Sequence, residues 1–181
     1  NNERARTVRA IVQGKRGNYW VATRGGLYQI DAQNDKITHY EHDDLDDNSL
    51  GHNSVIELII DKKGDLWAGT RDGISHLNFD KQAFGNISAG KKPGFSLNHS
   101  EVYVFWEGTD DDIWIGTEAG GINIYNYHTN QITYLTRENG LSNNCIKAMC
   151  SDQNGHLLIG TYLGGLNILD METGSVEYLN H

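Results

Sequence analysis

Cysteine and proline are nearly missing from this chain, and so are basic clusters and long apolar runs. Two cysteines occur in 181 residues. Cys145 and Cys150 lie on one expected strand, with side chains on opposite faces. That excludes a disulfide between them, and both read as small core fillers. A zinc site would need two further, well-spaced ligands, and no such set appears. The single proline, against 21 glycines and nine tyrosines, suits many short strands joined by tight turns, not helices. Lysine and arginine number 15 against 24 acidic residues, a net charge of -9. This argues against a nucleic-acid partner, because phosphate binding needs clustered basic side chains. No run of about 18 apolar residues occurs, so no membrane-inserted segment is expected. There is no charged-then-apolar leader, and Asn1-Asn2-Glu3-Arg4 reads as a cut point or a mature terminus.

What the chain does have is one phrase written four times. It runs Tyr19-Trp20-Val21-Ala22-Thr23-Arg24-Gly25-Gly26-Leu27, then Leu66-Trp67-Ala68-Gly69-Thr70-Arg71-Asp72-Gly73-Ile74. The third copy spans Ile113 to Ile122 and the fourth Leu157 to Leu166. The anchors Trp20, Trp67, Trp114 and Leu158 recur every 44 to 47 residues, close to the length of a four-stranded propeller blade.

Each copy resolves into four expected strands. An apolar run precedes the anchor at 8–12, 55–60, 102–106 and 146–150, and its continuity predicts a strand buried on both faces. Glycine stands three residues before the anchor in three copies and Asp111 in the other, where a hairpin needs positive φ. Asp61 and Asp152 open their turns as turn formers, a better reading than a calcium loop, which needs more oxygen ligands. The anchor phrase is the second strand. The third alternates apolar and polar residues and ends in Asp or Asn. The fourth is 37–40, 132–135 and 176–179, with Phe84-Gly85-Asn86-Ile87 a blurred second copy. Long polar loops follow, and three end alike, at Leu50 to Val55, Leu97 to Val102 and Leu141 to Ile146. The leucine is expected to tuck between blades while the polar residue three positions later bonds backbone. The acidic run Asp43 to Asp47 reads as a solvated loop, not a cation site.

The fold class expected is therefore all-β, one repeat domain over 1–181. Its four consecutive four-stranded antiparallel blades fall at about 6–42, 53–88, 100–136 and 144–181. The phrase, best preserved at Asp61 to Asn78 and Asp152 to Asp170, resembles the two-component regulator propeller repeat. Ala22 departs from the pattern's glycine and Leu158 from its tryptophan. The resemblance implies the periplasmic sensor region of a Bacteroides-type hybrid histidine kinase that responds to oligosaccharides. It also implies about seven blades to a ring, so four suggest an open half-ring. The partners would be the remaining blades, an oligosaccharide and, through exposed blade edges, a second copy. No cofactor or metal is expected.

The fixed residues Trp20, Trp67, Trp114, Leu158, Gly26, Gly73, Gly120 and Gly164 read as architecture. Function is sought in the slot four residues after the anchor, filled by Arg24, Arg71, Glu118 and Tyr162. Those groups could hydrogen-bond and stack on a sugar or a uronic acid. No phosphoacceptor-helix pattern or nucleotide loop surrounds any of the eight histidines, and no carboxylate pair is singled out, so the segment is not expected to be an enzyme. The alternatives are a structural or protein-interaction propeller without its own ligand site, or part of a propeller lyase or glycosidase.

Overall fold

The computed structural model describes residues 7–79, 82–90, 94–109 and 111–179. Asp110, His181 and the first four residues lie outside them. The chain divides into two compact units, residues 1–88 and 89–181.

The first unit contains two sheets. One comprises β1 (Val8–Gln13), β2 (Asn18–Thr23), β3 (Gly26–Asp31) and β4 (Lys36–Tyr40), and the other β5 (Val55–Ile60), β6 (Leu66–Thr70), β7 (Gly73–Asn78) and β8 (Ala83–Ile87). The second unit repeats this arrangement. Its sheets are β9 (Val102–Glu107), β10 (Asp112–Thr117), β11 (Ile122–Asn126) and β12 (Gln131–Leu135), then β13 (Ile146–Ser151), β14 (His156–Thr161), β15 (Gly165–Asp170) and β16 (Val176–Leu179). All four sheets are antiparallel meanders with strands in sequence order. The blurred outer strand at Phe84 is β8, paired to β7 throughout.

The turn before each anchor has the conformation its residues imply. Gly17, Gly64, Asp111 and Gly155 have φ of 78°, 89°, 57° and 88°, the left-handed region that glycine and, less readily, aspartate tolerate. Asp61 and Asp152 act as turn formers. Asp61 Oδ1 accepts the Asp65 N–H at 2.8 Å and Asp152 Oδ1 the His156 N–H at 2.9 Å. The Asp or Asn closing the third strand caps the next turn in the same way, as at Asp31, Asn126 and Asp170.

Within each unit, the two blades share one core. In the first unit Trp20, Ala22 and Leu27 meet Leu58, Leu66, Ala68 and Leu77, with Leu50 and Val55 in the same cluster. In the second, Trp114 and Ile122 meet Ile146, Leu157, Ile159 and Leu169, joined by Leu141. In the first and third blades the anchor side of the second strand therefore faces the blade that follows, and in the second and fourth the alternate side (Leu66 and Ala68, or Leu157 and Ile159) faces the blade before. The loop leucines Leu50, Leu97 and Leu141 are at most 2% exposed, each worth about 1.5–3 kcal/mol of burial. Asn53 and Asn144 do bond backbone, accepting the N–H groups of His42 and Arg137 at 2.7 and 2.6 Å.

Two expectations are corrected. The first strand is not buried on both faces in the first and fourth blades, where Val8 and Ile11 are exposed and β13 is mostly exposed, whereas β5 and β9 carry no exposed residue. This strand is the edge of its meander and pairs on one side alone. The most deeply buried strands are second strands, β6, whose five residues are all buried, and β10, with five of six. Nor are the cysteines core fillers: Cys150 is exposed on β13, and Cys145 is half-buried just before it.

Candidate functional site

The threonine of the repeated phrase builds the turn that carries the candidate residues. Thr23, Thr70, Thr117 and Thr161 each donate Oγ–H to the carbonyl of a glycine that opens the third strand, at 2.9–3.0 Å. In the first three copies the same oxygen accepts a turn N–H at 3.0 Å. The glycine that takes positive φ is Gly26, Gly73, Gly121 or Gly165. In the third and fourth copies that is one residue beyond the expected Gly120 and Gly164, because those turns are one residue longer. A Cβ on Gly26, Gly73 or Gly121 would lie 2.2–2.5 Å from the carbonyl oxygen ending the fourth strand. Gly120 and Gly164 must also be small, for another reason. A Cβ there would meet Asn98 at 2.1 Å and Asn143 Cβ at 2.7 Å.

The variable slot sits on this locked turn and is tied down once more. The backbone N–H groups of Arg24, Arg71, Glu118 and Tyr162 donate to the carbonyls of Thr7, Ser54, Glu101 and Cys145 at 3.3, 3.1, 3.0 and 2.9 Å. Each acceptor immediately precedes a first strand. That strand then carries a bulge, which leaves Arg9, Ile56, Tyr103 or Lys147 out of the pairing. Bulges re-aim side chains, and three of these four reach the slot's surroundings.

In the first unit, Arg24 and Arg71, both exposed, line a cleft of about 500 Å³ with His42, His52, Asn53 and Ser54. Arg9 donates to Ser54 Oγ at 3.1 Å and to the Val55 carbonyl at 3.4 Å. The His42 imidazole bonds the Leu50 carbonyl and Asp44; these two acceptors raise its pKa above the ordinary value.

In the second unit, Glu118 and Tyr162 belong to one constellation. Lys147 Nζ lies 3.7 Å from the Tyr103 ring centre and 5.8 Å from that of Tyr162, within cation–π range. Hydrogen bonds with the Glu101 carboxyl and the Tyr103 hydroxyl hold Glu118 below the usual carboxylate range, helped by Lys147 and His99. Burial, with the Glu118 hydrogen bond and the nearby acidic charges, pushes the Tyr103 hydroxyl up to about 12. The exposed Tyr162 ring, 57% accessible, is the flat surface of this group.

Sequence reasoning missed Arg9, Tyr103 and Lys147. Their signal was weak but present: each is the second residue of its first strand, a slot where long polar side chains interrupt an apolar run. The anchors Trp20, Trp67 and Trp114 are at most 8% exposed and belong to the core; Leu158 is half-buried. One acidic–histidine group, Asp61, Asp65 and His76, has donor atoms within 4.8 Å. Its chemistry is that of the turn. Asp61 accepts from the Asp65 N–H and from Trp67 Nε1 at 2.8 Å, and His76 stacks on Trp67 at 4.2 Å.

Four-stranded antiparallel meanders paired face to face through their second strands are β-propeller blades. The family model described as "Two component regulator propeller" matches residues 49–72 and 140–163. Each matched stretch runs from just before the buried loop leucine to just past the variable slot. The likeness to that family covers these two stretches. Among solved structures, the extracellular domain of BT3049 from B. thetaiotaomicron, a protein assigned to the hybrid two component systems, superposes with a TM-score of 0.85 at 24% identity. That match covers 97% of this chain and 25% of the other. Virginiamycin B lyase from Staphylococcus aureus gives 0.68 at 15% identity over 98% of this chain and 56% of the other. PorZ, a surface component of the type-IX secretion system of Porphyromonas gingivalis, gives 0.55 at 17% identity over 93% and 32%. At these identities the likeness is one of fold. The chain spans a quarter to about half of the lengths of these proteins. No curated protein matches it.

Proposed function

We propose that the chain is a ligand-reading stretch of the sensor propeller of a two-component receptor. In this reading it faces the periplasm, responds to saccharides and carries no catalysis of its own. The blades at about 6–42, 53–88, 100–136 and 144–181 form part of a longer array. The observation that carries the reading is the fourfold construction of the slot. A threonine-locked turn, repeated in all four blades and pinned to the residue before its own blade's first strand, presents Arg24, Arg71, Glu118 and Tyr162. Chemistry varies where geometry is held constant, which is how a repeat scaffold reads a ligand.

Continuation of the array has its own support. On β10, a Cβ at Gly116 would lie 2.5 Å from Val104 Cγ1 and 2.8 Å from Ile146 Cγ2, the latter on the next blade. The equivalent Gly160 on β14 would meet only Ala148 of its own blade, at 3.6 Å. Its smallness and the half-buried Leu158 beside it fit a further blade packed there.

Calorimetric titration of the chain with a panel of oligosaccharides tests the sensor reading. Binding is expected to weaken when Arg24, Arg71 or Tyr162 is replaced by alanine. Binding that survives all three replacements refutes the site.

A further inference from the structure

The turn between the first two strands of every blade closes on one hydrogen bond. Gly14, Asp61, Gly108 and Asp152 donate their backbone N–H groups to the carbonyls of Asn18, Asp65, Asp112 and His156, at 2.8–3.0 Å. In the second blade the side chain at this position also serves the anchor, because Asp61 Oδ2 accepts from Trp67 Nε1 at 2.8 Å. In the fourth the anchor is Leu158, and Asp152 Oδ2 bonds His156 Nδ1 instead, at 2.8 Å. The first and third blades have the tryptophan without the carboxylate. No described residue accepts a hydrogen bond from Trp20 Nε1, although this side chain is only 1% exposed. A buried indole N–H usually finds a partner, and this one is left for a group from outside. Glycine keeps that edge of the ring uncovered: a Cβ on Gly14 would stand 3.0 Å from Trp20 Nε1, and one on Gly108 3.3 Å from Trp114 Nε1. A cleft opens beside each of these two rings, about 460 Å³ at Trp20 and about 370 Å³ at Trp114.

The cleft at Trp20 lies at the opposite end of β2 from the Arg24 slot. Lys15 walls it, reaching from the turn of the first blade to the Lys63 carbonyl of the second at 3.1 Å. The Phe79 ring, 36% exposed, supplies an aromatic face with its centre 5.8 Å from that of Trp20. The remaining polar groups are of both kinds. Gln29 Oε1 accepts from the Tyr40 hydroxyl at 3.1 Å, so its NH₂ group is left to donate. Asp65 Oδ2 accepts from His76 and Asn78 at 3.2 and 3.1 Å, and its Oδ1 is left to accept. The Asn18 amide offers both. An apolar face with a few convergent polar groups is the usual lining of a small-molecule site of this size.

We propose that this cleft binds a neutral polyhydroxylated ring. Trp20 Nε1 and the Gln29 amide donate to its hydroxyl oxygens, Asp65 accepts a hydroxyl proton, and Phe79 covers the apolar face of the ring. A hydroxyl both donates and accepts, which matches mixed groups; an anion would face Asp65, and a cation Lys15. The site stands apart from the slot of the sensor reading and does not depend on it.

The test is an NMR titration of the indole N–H resonances with cellobiose, maltose and lactose, and with galacturonate and glucosamine as charged controls. At least one neutral disaccharide is expected to move the Trp20 resonance and to leave in place that of Trp67, whose N–H Asp61 already holds. Gly14 has φ of -89° and ψ of -173°, a conformation open to any residue, so Gly14→Asp installs the acceptor of the second blade. That variant is expected to move the Trp20 resonance toward that of Trp67 and to lose about tenfold in affinity. Phe79→Ala, which leaves the glycine turn untouched, is expected to lose about tenfold as well and serves if Gly14→Asp does not fold. No shift at Trp20 with any of the three sugars, an equal response to galacturonate or glucosamine, or indifference to Phe79→Ala overturns the inference. A sugar that binds without moving the Trp20 resonance, and is lost when Arg24, Arg71 and Tyr162 are replaced, sinks this site and supports the sensor reading. A Trp20 shift that survives those three replacements, in a chain whose binding vanishes with Phe79→Ala, keeps this site and removes the slot.

Discussion

Gly116 and Gly160 hold the same place in successive blades, yet replacement by alanine should move stability in opposite directions. A methyl carbon on Gly116 would sit 2.5 Å from Val104 Cγ1 and 2.8 Å from Ile146 Cγ2, well inside carbon–carbon contact. Val104 belongs to its own blade and Ile146, fully buried, to the next, so neither side can yield without opening the shared core. Overpacking of this kind costs about 1–3 kcal/mol. The same methyl on Gly160 would rest at 3.6 Å from Ala148 Cβ, an ordinary contact. The backbone there is not left-handed, so Gly160→Ala should stabilise by about 0.4–1 kcal/mol through the lost freedom of the unfolded chain. Urea unfolding followed by tryptophan fluorescence would measure both. In a chain of this length each kcal/mol shifts the melting temperature by about 2–4 °C. Ile146→Ala should partly rescue Gly116→Ala. If Gly116→Ala is neutral, or Gly160→Ala loses as much as Gly116→Ala, the packing argument is refuted, and with it the support for a further blade.

Asp61→Ala strips the acceptor from Trp67 Nε1 and from the Asp65 N–H. With Asp61 only 4% and Trp67 only 1% exposed, the loss should be about 2–4 kcal/mol in the urea midpoint. Asp61→Asn, which keeps an acceptor, should lose less; equal losses would show that the hydrogen bonds are not the cause. His42 should titrate above 6.5 in an imidazole NMR series, because the Leu50 carbonyl and Asp44 favour its charged form. Its contribution to holding the loop is then complete below the unfolded pKa and disappears as pH rises through the raised folded value. Asp44→Asn should bring that midpoint down, and a wild-type midpoint at or below 6.5 would contradict the assignment.

Much of the fold was readable because strand order, turn chemistry and blade period are local. Glycine or aspartate three residues before each anchor announced a left-handed turn, and Gly17, Gly64, Asp111 and Gly155 adopt it. The loop leucine with its following asparagine announced a docked loop, and Leu50 with Asn53 and Leu141 with Asn144 form one. Burial was harder to read. An apolar run looks alike whether or not both its faces are covered, so β1 and β13 were expected to be as enclosed as β5 and β9, whereas half of β1 and most of β13 are exposed. The slot residues Arg24, Arg71, Glu118 and Tyr162 were found from their variation within the repeat. Their neighbours Arg9, Tyr103 and Lys147 were not, because a bulge is a mismatch between two strands, and its one trace in the sequence is a long polar side chain in the second position of an apolar run.

By itself the sequence determined the blade: its period, its four strands, its turns and the threonine and glycine positions that recur. These follow from interactions between residues a few positions apart, for which spacing is a sufficient description. Only the tertiary structure decided which strand is buried, which glycine takes the left-handed turn in the longer loops, and which side chains stand beside the slot. Those depend on cross-strand register and on groups about 25 to 50 residues apart meeting, such as Arg9 with Ser54 and Tyr103 with Lys147. In both units that meeting turns a repeated scaffold into surfaces of different chemistry: basic and polar side chains around Arg24 and Arg71, and a mixed acidic and aromatic group around Glu118 and Tyr162.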